Sequence, residues 1–447
     1  MQFRRKARIM ISAAAALALT AGPALADAIS LTDAVNMGIA RSPEIGQAQA
    51  RVRAAEAGRD QAERQWMPQI EATGAYGWRH LENAPRINLG LSAVKTRPFY
   101  ATISVNQSVW DFGRRQFGAK AQEGRMMAAG WDEQATGEYA AYAIARAYLQ
   151  VRVQQMIVEG AQDNLSFHRD LYADVGEAVD RGVLTIAEKQ QANERLQGAI
   201  LALDQAQAEL ATARSELSLL LGVSEFELLV PPDPEAKLPS TLEEALAIAR
   251  INDPRLRSAE ARVRSAQAGA GRAIADFAPQ IGLQGTVRAG RDFEGYRGTT
   301  KDYELLLVAR WTLFDGGINS ARVREAKAGV DEARFALAQA DRESELAIRK
   351  SWIAINDWKE RLKVQRERLK VARDLRVSYV EQFGIGRRSL LDLLAAQSAV
   401  FSAASDVNVA QHGLWLAQYG LLGQMGGLRD FLGARERKLN PKMYGPR

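Results

Sequence analysis

Pro68-Gln69-Ile70-Glu71-Ala72-Thr73-Gly74 and Pro279-Gln280-Ile281-Gly282-Leu283-Gln284-Gly285 are two versions of one pattern, and together they decide the fold. Each sets Pro-Gln-Ile ahead of alternating residues, the period-two signature of a strand. Toward the N-terminus, Leu31 to Tyr76 aligns without a gap on Leu242 to Val287 at an offset of 211. Ala34 falls on Ala245, Pro43 on Pro254, and Ala50-Arg51-Val52-Arg53 on Ala261-Arg262-Val263-Arg264. Toward the C-terminus the offset becomes 204: Trp110-Asp111-Phe112-Gly113 falls on Phe314-Asp315-Gly316-Gly317, Gly182 on Gly386, Thr185 on Ser389, and Gly222 on Gly426. The change lies between Pro68 and Asp111, so it is loop length. The chain is therefore a duplication. Its parts read as a leader over 1–26, a first repeat over 27–222, a Pro-rich linker over 223–240, a second repeat over 241–427 and a tail over 428–447.

Proline placement divides each repeat. None occurs from Phe99 to Val230, and none from Gln280 to Asn440. Proline breaks helix interiors, so such gaps permit very long helices, and Ala, Leu, Gln, Glu and Arg, all good helix formers, fill them. Gly113 to Asp180 predicts one helix of about 100 Å. Ile186 to Leu221, at about 54 Å, and Pro43 to Met67, at about 37 Å, would stack end to end beside it. The second repeat predicts the same set, in coiled-coil-like contact.

Between the helices, four segments alternate: about 68–80, 98–112, 279–292 and 301–315. Ile70, Ala72, Gly74, Tyr76 and Trp78 share one parity, with Gln69, Glu71, Thr73 and Arg79 on the other. Phe99, Ala101, Ile103 and Val105 likewise oppose Tyr100, Thr102, Ser104 and Asn106. The lengths suit tilted transmembrane strands, and aromatics gather near the ends, including Trp78, Phe99, Trp110, Tyr303, Trp311 and Phe314, as in outer-membrane barrels. Four strands cannot close a barrel, and open edges in lipid cost several kcal/mol per unpaired backbone group. The strands must therefore close with those of other copies, and their polar parity favours a wet lumen. The expected fold class is mainly α with a transmembrane β-barrel part.

Arg4, Arg5, Lys6 and Arg8 precede an apolar run from Ile9 to Ala21, and Ala24-Leu25-Ala26 gives the small-x-small cleavage pattern, so Ala26 and Asp27 flank the expected signal-peptidase cut. Losing the leader removes four of 59 basic residues and none of 53 acidic ones, lowering the net charge from +6 to +2. The basic balance is then no argument for nucleic acid. The chain has no Cys, which excludes disulfides, thiolate metal sites, a Cys nucleophile and a lipidated Cys. Its three His, at 80, 168 and 412, are far apart in sequence, which argues against a His-based metal or triad site. No later run is apolar enough to read as a transmembrane helix. Lys359 to Arg376 is basic but carries Val364, Leu369, Val371 and Leu375 at helical spacing, which reads as a solvated helix face.

The duplicated plan, the paired Pro-Gln-Ile motifs, the strand-ending Val109-Trp110-Asp111-Phe112-Gly113 and Leu313-Phe314-Asp315-Gly316-Gly317, and two Gly-containing helix turns together resemble the outer membrane efflux protein family, the TolC-like channels. The resemblance spans Ile29 to about Gly427. It implies a homotrimer whose 12-stranded barrel lies in outer membrane lipid above a periplasmic α-helical tunnel. It further implies docking to a periplasmic adaptor and an inner-membrane transporter, a passive exit duct for efflux or type I secretion, no catalysis and no cofactor. The missing lipidated Cys leans toward secretion or general-purpose members, by analogy alone. The equivalent turns are Arg181-Gly182-Val183-Leu184-Thr185-Ile186-Ala187-Glu188 and Ile385-Gly386-Arg387-Arg388-Ser389-Leu390-Leu391-Asp392. Thr185 with Glu188, and Ser389 with Asp392, fit capping boxes. The family reading instead places Asp392 in an acidic ring at the periplasmic aperture, with Glu188 its weaker counterpart; cap and ring stay open for both. The family's tethering tyrosine position is Phe383 here, and a second acidic position is Ala395, which leaves Arg388 as the best remaining tie. Gly182, Val183, Leu184, Gly386, Arg387 and Leu390 are the expected adaptor-docking residues. The rival expectation is a soluble periplasmic coiled-coil adaptor or structural protein, which would carry one hairpin rather than two copies with strands opposite the turns.

Overall fold

A computed structural model describes residues 28–90, 93–294 and 297–434. The expected leader, the expected cut between Ala26 and Asp27, and the residues beyond Ala434 lie outside the described residues. The first repeat runs β1 (Ala28–Ile29), α1 (Leu31–Arg41), α2 (Pro43–Arg64), β2 (Gln69–Tyr76), β3 (Arg79–Leu81), α3 (Ala84–Asn88), β4 (Val94–Thr96), β5 (Phe99–Trp110), α4 (Arg114–Asp180) and α5 (Ile186–Leu221). The linker holds β6 (Glu227–Leu228) and one turn of 3-10 helix (Glu235–Lys237). The second repeat runs α6 (Leu242–Asn252), α7 (Pro254–Ala275), β7 (Gln280–Arg291), β8 (Thr299–Arg310), α8 (Ile318–Gly384) and α9 (Leu390–Gln424), followed by α10 (Leu428–Phe431).

The helix limits have local causes. Ser42 and Asp253 cap α2 and α7, whose first residue is proline, where no N–H is needed. Gly222, at φ 66°, ends α5 in the left-handed conformation that costs glycine nothing. Helices α4 and α8 each run 67 residues without a proline, about 100 Å. In the lower half of the wall the order is α5, α4, α9, α8; in the upper half it is α2, α4, α7, α8. Helix α9 is long and apolar enough to cross a membrane by length and composition, contrary to the sequence expectation. One side of it is packed into the wall instead, with Leu393, Leu394, Leu414 and Leu421 buried, while Leu391 and Val409 stay exposed.

The sheet is antiparallel in the order β2-β5-β7-β8, so β5 and β7 join the repeats. Its register aligns Ile70, Val105, Gly285 and Leu305, and two residues on Ala72, Ile103, Val287 and Tyr303. The opposite face aligns Glu71, Ser104, Thr286 and Glu304, then Thr73, Thr102, Arg288 and Asp302. One face is thus apolar and the other polar, both largely uncovered; Ile70, Tyr303, Leu305 and Leu307 are all above 70% exposed. The strands are shorter than expected. The first ends at Tyr76 because the next ladder position is Pro98, which has no N–H; Gly77 donates to its carbonyl at 3.1 Å instead. Arg79–Leu81 then pairs separately with Val94–Thr96. The fourth ends at Arg310, where Trp311 turns aside to donate its Nε1–H to the Phe277 carbonyl at 3.0 Å.

Each strand meets its long helix through a corner of two left-handed residues, Phe112 and Gly113 (φ 52° and 90°) or Gly316 and Gly317 (φ 71° and 88°). The aspartate that both motifs share satisfies the helix start. Asp315 Oδ2 accepts from the Asn319 N–H at 2.8 Å, and Asp111 Oδ2 from the Arg115 N–H at 3.1 Å. Arg115 also donates its Nε–H to Asp111 at 2.7 Å and one Nη1–H to the Ser108 carbonyl at 2.9 Å, with its guanidinium 4.0 Å over the Trp66 ring.

At mid-height a core of α1, α4, α5, α6, α8, α9, α10 and linker residues centres on Leu31, Tyr148, Leu217, Tyr419 and Leu428. There β1 pairs in parallel with β6, a link too short to read from the sequence. The Tyr148 hydroxyl sits 2.9 and 2.7 Å from the Ile29 and Leu229 carbonyls, and burial pushes its pKa up to about 12, so it stays a donor. The Tyr419 hydroxyl donates to the Pro232 carbonyl at 2.5 Å, pinning the linker.

Candidate functional site

The two helix turns lie together at the end of the long helices remote from the sheet, and they are built alike. Gly182 and Gly386 take φ 74° and 71°, and a Cβ on either would meet nothing within 4 Å. Glu188 Oε2 accepts from the Thr185 N–H at 2.7 Å, while the Thr185 Oγ1 accepts from the Glu188 N–H at 3.3 Å. Asp392 Oδ2 accepts from the Ser389 N–H at 3.3 Å and its hydroxyl at 2.9 Å, and Ser389 Oγ accepts from the Asp392 N–H at 3.2 Å. Both capping boxes are thus formed, each worth about 1 kcal/mol to its helix. Every recorded bond to Asp392 uses Oδ2.

Arg388 sits beside Asp392, Nη1 to Oδ2 at 3.8 Å, with both side chains about two-fifths exposed. Such a pair is worth at most about 1 kcal/mol. Its guanidinium also lies 4.5 Å over the Tyr379 ring and donates to Gln382 Oε1 at 3.1 Å. Sequence reasoning missed Tyr379. It stands one helical turn before Phe383, and the i, i+4 spacing was the available signal. Tyr379 and Phe383 both pack half-buried against a cluster of Leu171, Val175, Ala192, Leu390, Leu393 and Leu394.

That cluster corrects the expected docking set. Leu390 is 2% exposed, because α4 and α8 cover it, and Leu184 is half-buried against the same cluster. The exposed apolar residues at the turns are Val183, Ile186, Ile385 and Leu391, at 73, 70, 66 and 57%. Arg387 is exposed.

Elsewhere, three residues of the basic stretch of α8 tie it to its neighbours: Lys359 to Glu235 at 2.6 Å, Arg368 to Asp406 at 2.6 Å and Arg366 to Gln411 at 2.9 Å. Buried His168 and half-buried His412 lie on separate helices, and desolvation pulls both pKa values down. Among the described residues no cluster of His, Asp and Glu could hold a metal.

Four strands with one apolar face, carried on paired helices of about 100 Å, call for comparison with known channels. The sequence pattern of outer membrane efflux proteins matches residues 34–223 and 245–427, both repeats and neither the linker nor the leader. The chain belongs to the outer membrane efflux protein family. It is similar to the outer membrane efflux protein BepC of Brucella suis, at 23% identity over 348 residues, covering 76% of this chain and 75% of that protein. It is also similar to CyaE of Bordetella pertussis, at 23% identity over 398 residues, covering 88% and 82%. The crystal structure of the Campylobacter jejuni CmeC outer membrane channel has the same fold, with a TM-score of 0.78 at 16% identity, over 92% of this chain and 87% of that one. As a family member the chain is an outer membrane channel of efflux systems, with its helical part in the periplasm. The family's members are channels rather than enzymes.

Proposed function

We propose that three copies close into a 12-stranded barrel and a helical tunnel, forming the passive exit duct of a tripartite efflux or type I secretion system. The observation that carries this is the open sheet: β2 and β8 each have a partner on one side only, and the apolar face is uncovered. In lipid those edges must pair, and β2 of one copy against β8 of the next does so. Three copies give a lumen lined by Glu71, Arg288, Asp302 and Glu304, where two copies would give a barrel of eight strands filled by side chains. Crosslinking the detergent-extracted protein is expected to give a ladder ending at three chains. A stable monomer or a ladder ending at two overturns the assembly. Alkali is expected to leave the protein in the membrane fraction, whereas a soluble adaptor would wash off.

At the opposite end, Asp392 and Arg388 stand on the turn that opens α9. Three copies of Asp392 about a threefold axis would form an acidic ring that favours cations, with Arg388 and Phe383 beside it and Glu188 on the outer turn. Asp392→Ala is expected to lower cation selectivity in planar bilayers, and Arg388→Ala to raise conductance. If neither variant changes either property, the cap is the acid's whole role. The exposed Val183, Ile385 and Arg387 around Gly182 and Gly386 suit a periplasmic adaptor that links the duct to an inner-membrane transporter.

A further inference from the structure

On the apolar face of the sheet, charge is confined to one end. Of the residues that the register of β2, β5, β7 and β8 puts on that face, Arg291 and Lys301 alone are charged among the described residues, and both are exposed. They occupy the two rows farthest from the helices. Arg291 pairs with Phe99 on one side and with Thr299 on the other, and Lys301 pairs with Ala289 in the next row. Arg291 and Lys301 are thus diagonal neighbours on adjacent strands, about 7–8 Å apart, near enough for one phosphate group to meet both. Lys95 and Arg97 flank the buried Thr96 and are themselves exposed, just ahead of Phe99 in the chain. Among the described residues none of these four cations takes part in an ion pair. The adjacent carboxylate of Asp292 instead accepts from the Gly298 N–H at 2.8 Å, closing the β7–β8 loop.

The depth of these cations fixes their surroundings. The helical part is periplasmic, so the far end of the sheet is at the outer surface. The ten residues from Ile281 to Arg291 run about 33 Å along the strand, which at the usual barrel tilt is about 25 Å of height, the whole of an outer-membrane apolar band. Tyr76, Trp78, Phe99 and Tyr303, all exposed, lie at the same level, where aromatic rings sit among lipid headgroups. At the periplasmic end the same face carries Trp110 beside Ile281 and no cation among the described strand residues. Cations that merely reach for water would serve at either end. Their restriction to one end points to a ligand of one leaflet.

We propose that Arg291 and Lys301, with Lys95 and Arg97 above them, bind the phosphate groups of a phosphorylated glycolipid in the outer leaflet, whose acyl chains lie along the apolar face over Val287 and Leu305. The inference rests on the reading of this face as the lipid face of a barrel, and adds a lipid site to it. The Arg291 guanidinium can offer two parallel N–H groups to phosphate oxygens, Lys301 supplies a point charge, and the Thr299 hydroxyl adds a donor.

Binding of diphosphoryl lipid A to the detergent-purified protein, read by native mass spectrometry, is expected to saturate. Removing both phosphates from the lipid is expected to weaken it by about tenfold or more. Phosphatidylglycerol is expected to bind more weakly than the intact glycolipid, and inorganic phosphate is expected not to displace it. Arg291→Ser with Lys301→Ser is expected to show the same loss, whereas Arg310→Ser, at the periplasmic end of the opposite face, should bind like the parent. Parent protein that holds the dephosphorylated lipid or phosphatidylglycerol as tightly overturns the proposal without recourse to any variant, and so does unchanged binding in the double variant. Displacement by inorganic phosphate overturns it too, by assigning the cations to a free anion. If alkali strips the parent from membranes, the barrel reading itself fails. A protein that stays in the membrane but is indifferent to the phosphates leaves the barrel standing and removes only this site.

Discussion

Asp111→Ala is expected to lower folding stability by about 3–5 kcal/mol, read as a lowered denaturation midpoint of the detergent-solubilised protein. Asp111 and Arg115 are 6% and 7% exposed, and Arg115 keeps its charge in the corner when the carboxylate is removed. The Ser108 carbonyl and the Trp66 ring remain as partners, but neither is an anion. The same corner in the second repeat has the neutral Asn319 in place of Arg115, so Asp315 caps the backbone without a buried cation beside it. Asp315→Ala is therefore expected to cost only about 1 kcal/mol, the price of a lost cap. Arg115→Asn, which copies the second repeat into the first, is expected to cost less than Asp111→Ala, because it removes the charge along with its partner. Equal losses from Asp111→Ala and Asp315→Ala would mean that the buried ion pair adds nothing beyond capping.

The corner also shows where sequence reading stopped. The aspartates were legible as the ends of strands because both repeats carry them, but Arg115 was not, because its repeat mate is Asn319. Helix α5 was read at its observed limits, since Thr185 and Gly222 mark its ends chemically. Strand ends were overrun by up to five residues, because alternation continues past Tyr76 and Arg310 although the hydrogen-bond ladder does not. Leu390 was placed on the surface because a turn read alone looks exposed; α4, more than 200 positions away, buries it. The β1–β6 pair has two residues per strand and no periodicity to find. Local chemistry and repetition thus carried the elements. The contacts between distant elements needed the packed chain.

The other large effect is expected at the turns. Gly182→Trp or Gly386→Trp should abolish export while leaving a trimer in the outer membrane. Within the chain there is room for the new side chain, since a Cβ at either position meets nothing within 4 Å. The left-handed backbone adds strain of about 1–2 kcal/mol for a residue with a Cβ, which helices of this length can absorb. What the indole would fill is the space over an exposed turn flanked by Val183 or by Ile385 and Arg387, where a partner's backbone could otherwise come close to glycine. Gly182→Asn and Gly386→Asn separate strain from bulk, because asparagine tolerates the left-handed region and is small; both are expected to export nearly as well as the parent. Leu390→Ala belongs to a different class, since it hollows the cluster under the turn and should cost about 2–5 kcal/mol without touching the docking surface. Loss of export in the asparagine variants would trace the defect to the backbone, and normal export in the tryptophan variants would place the adaptor contact elsewhere on the tunnel.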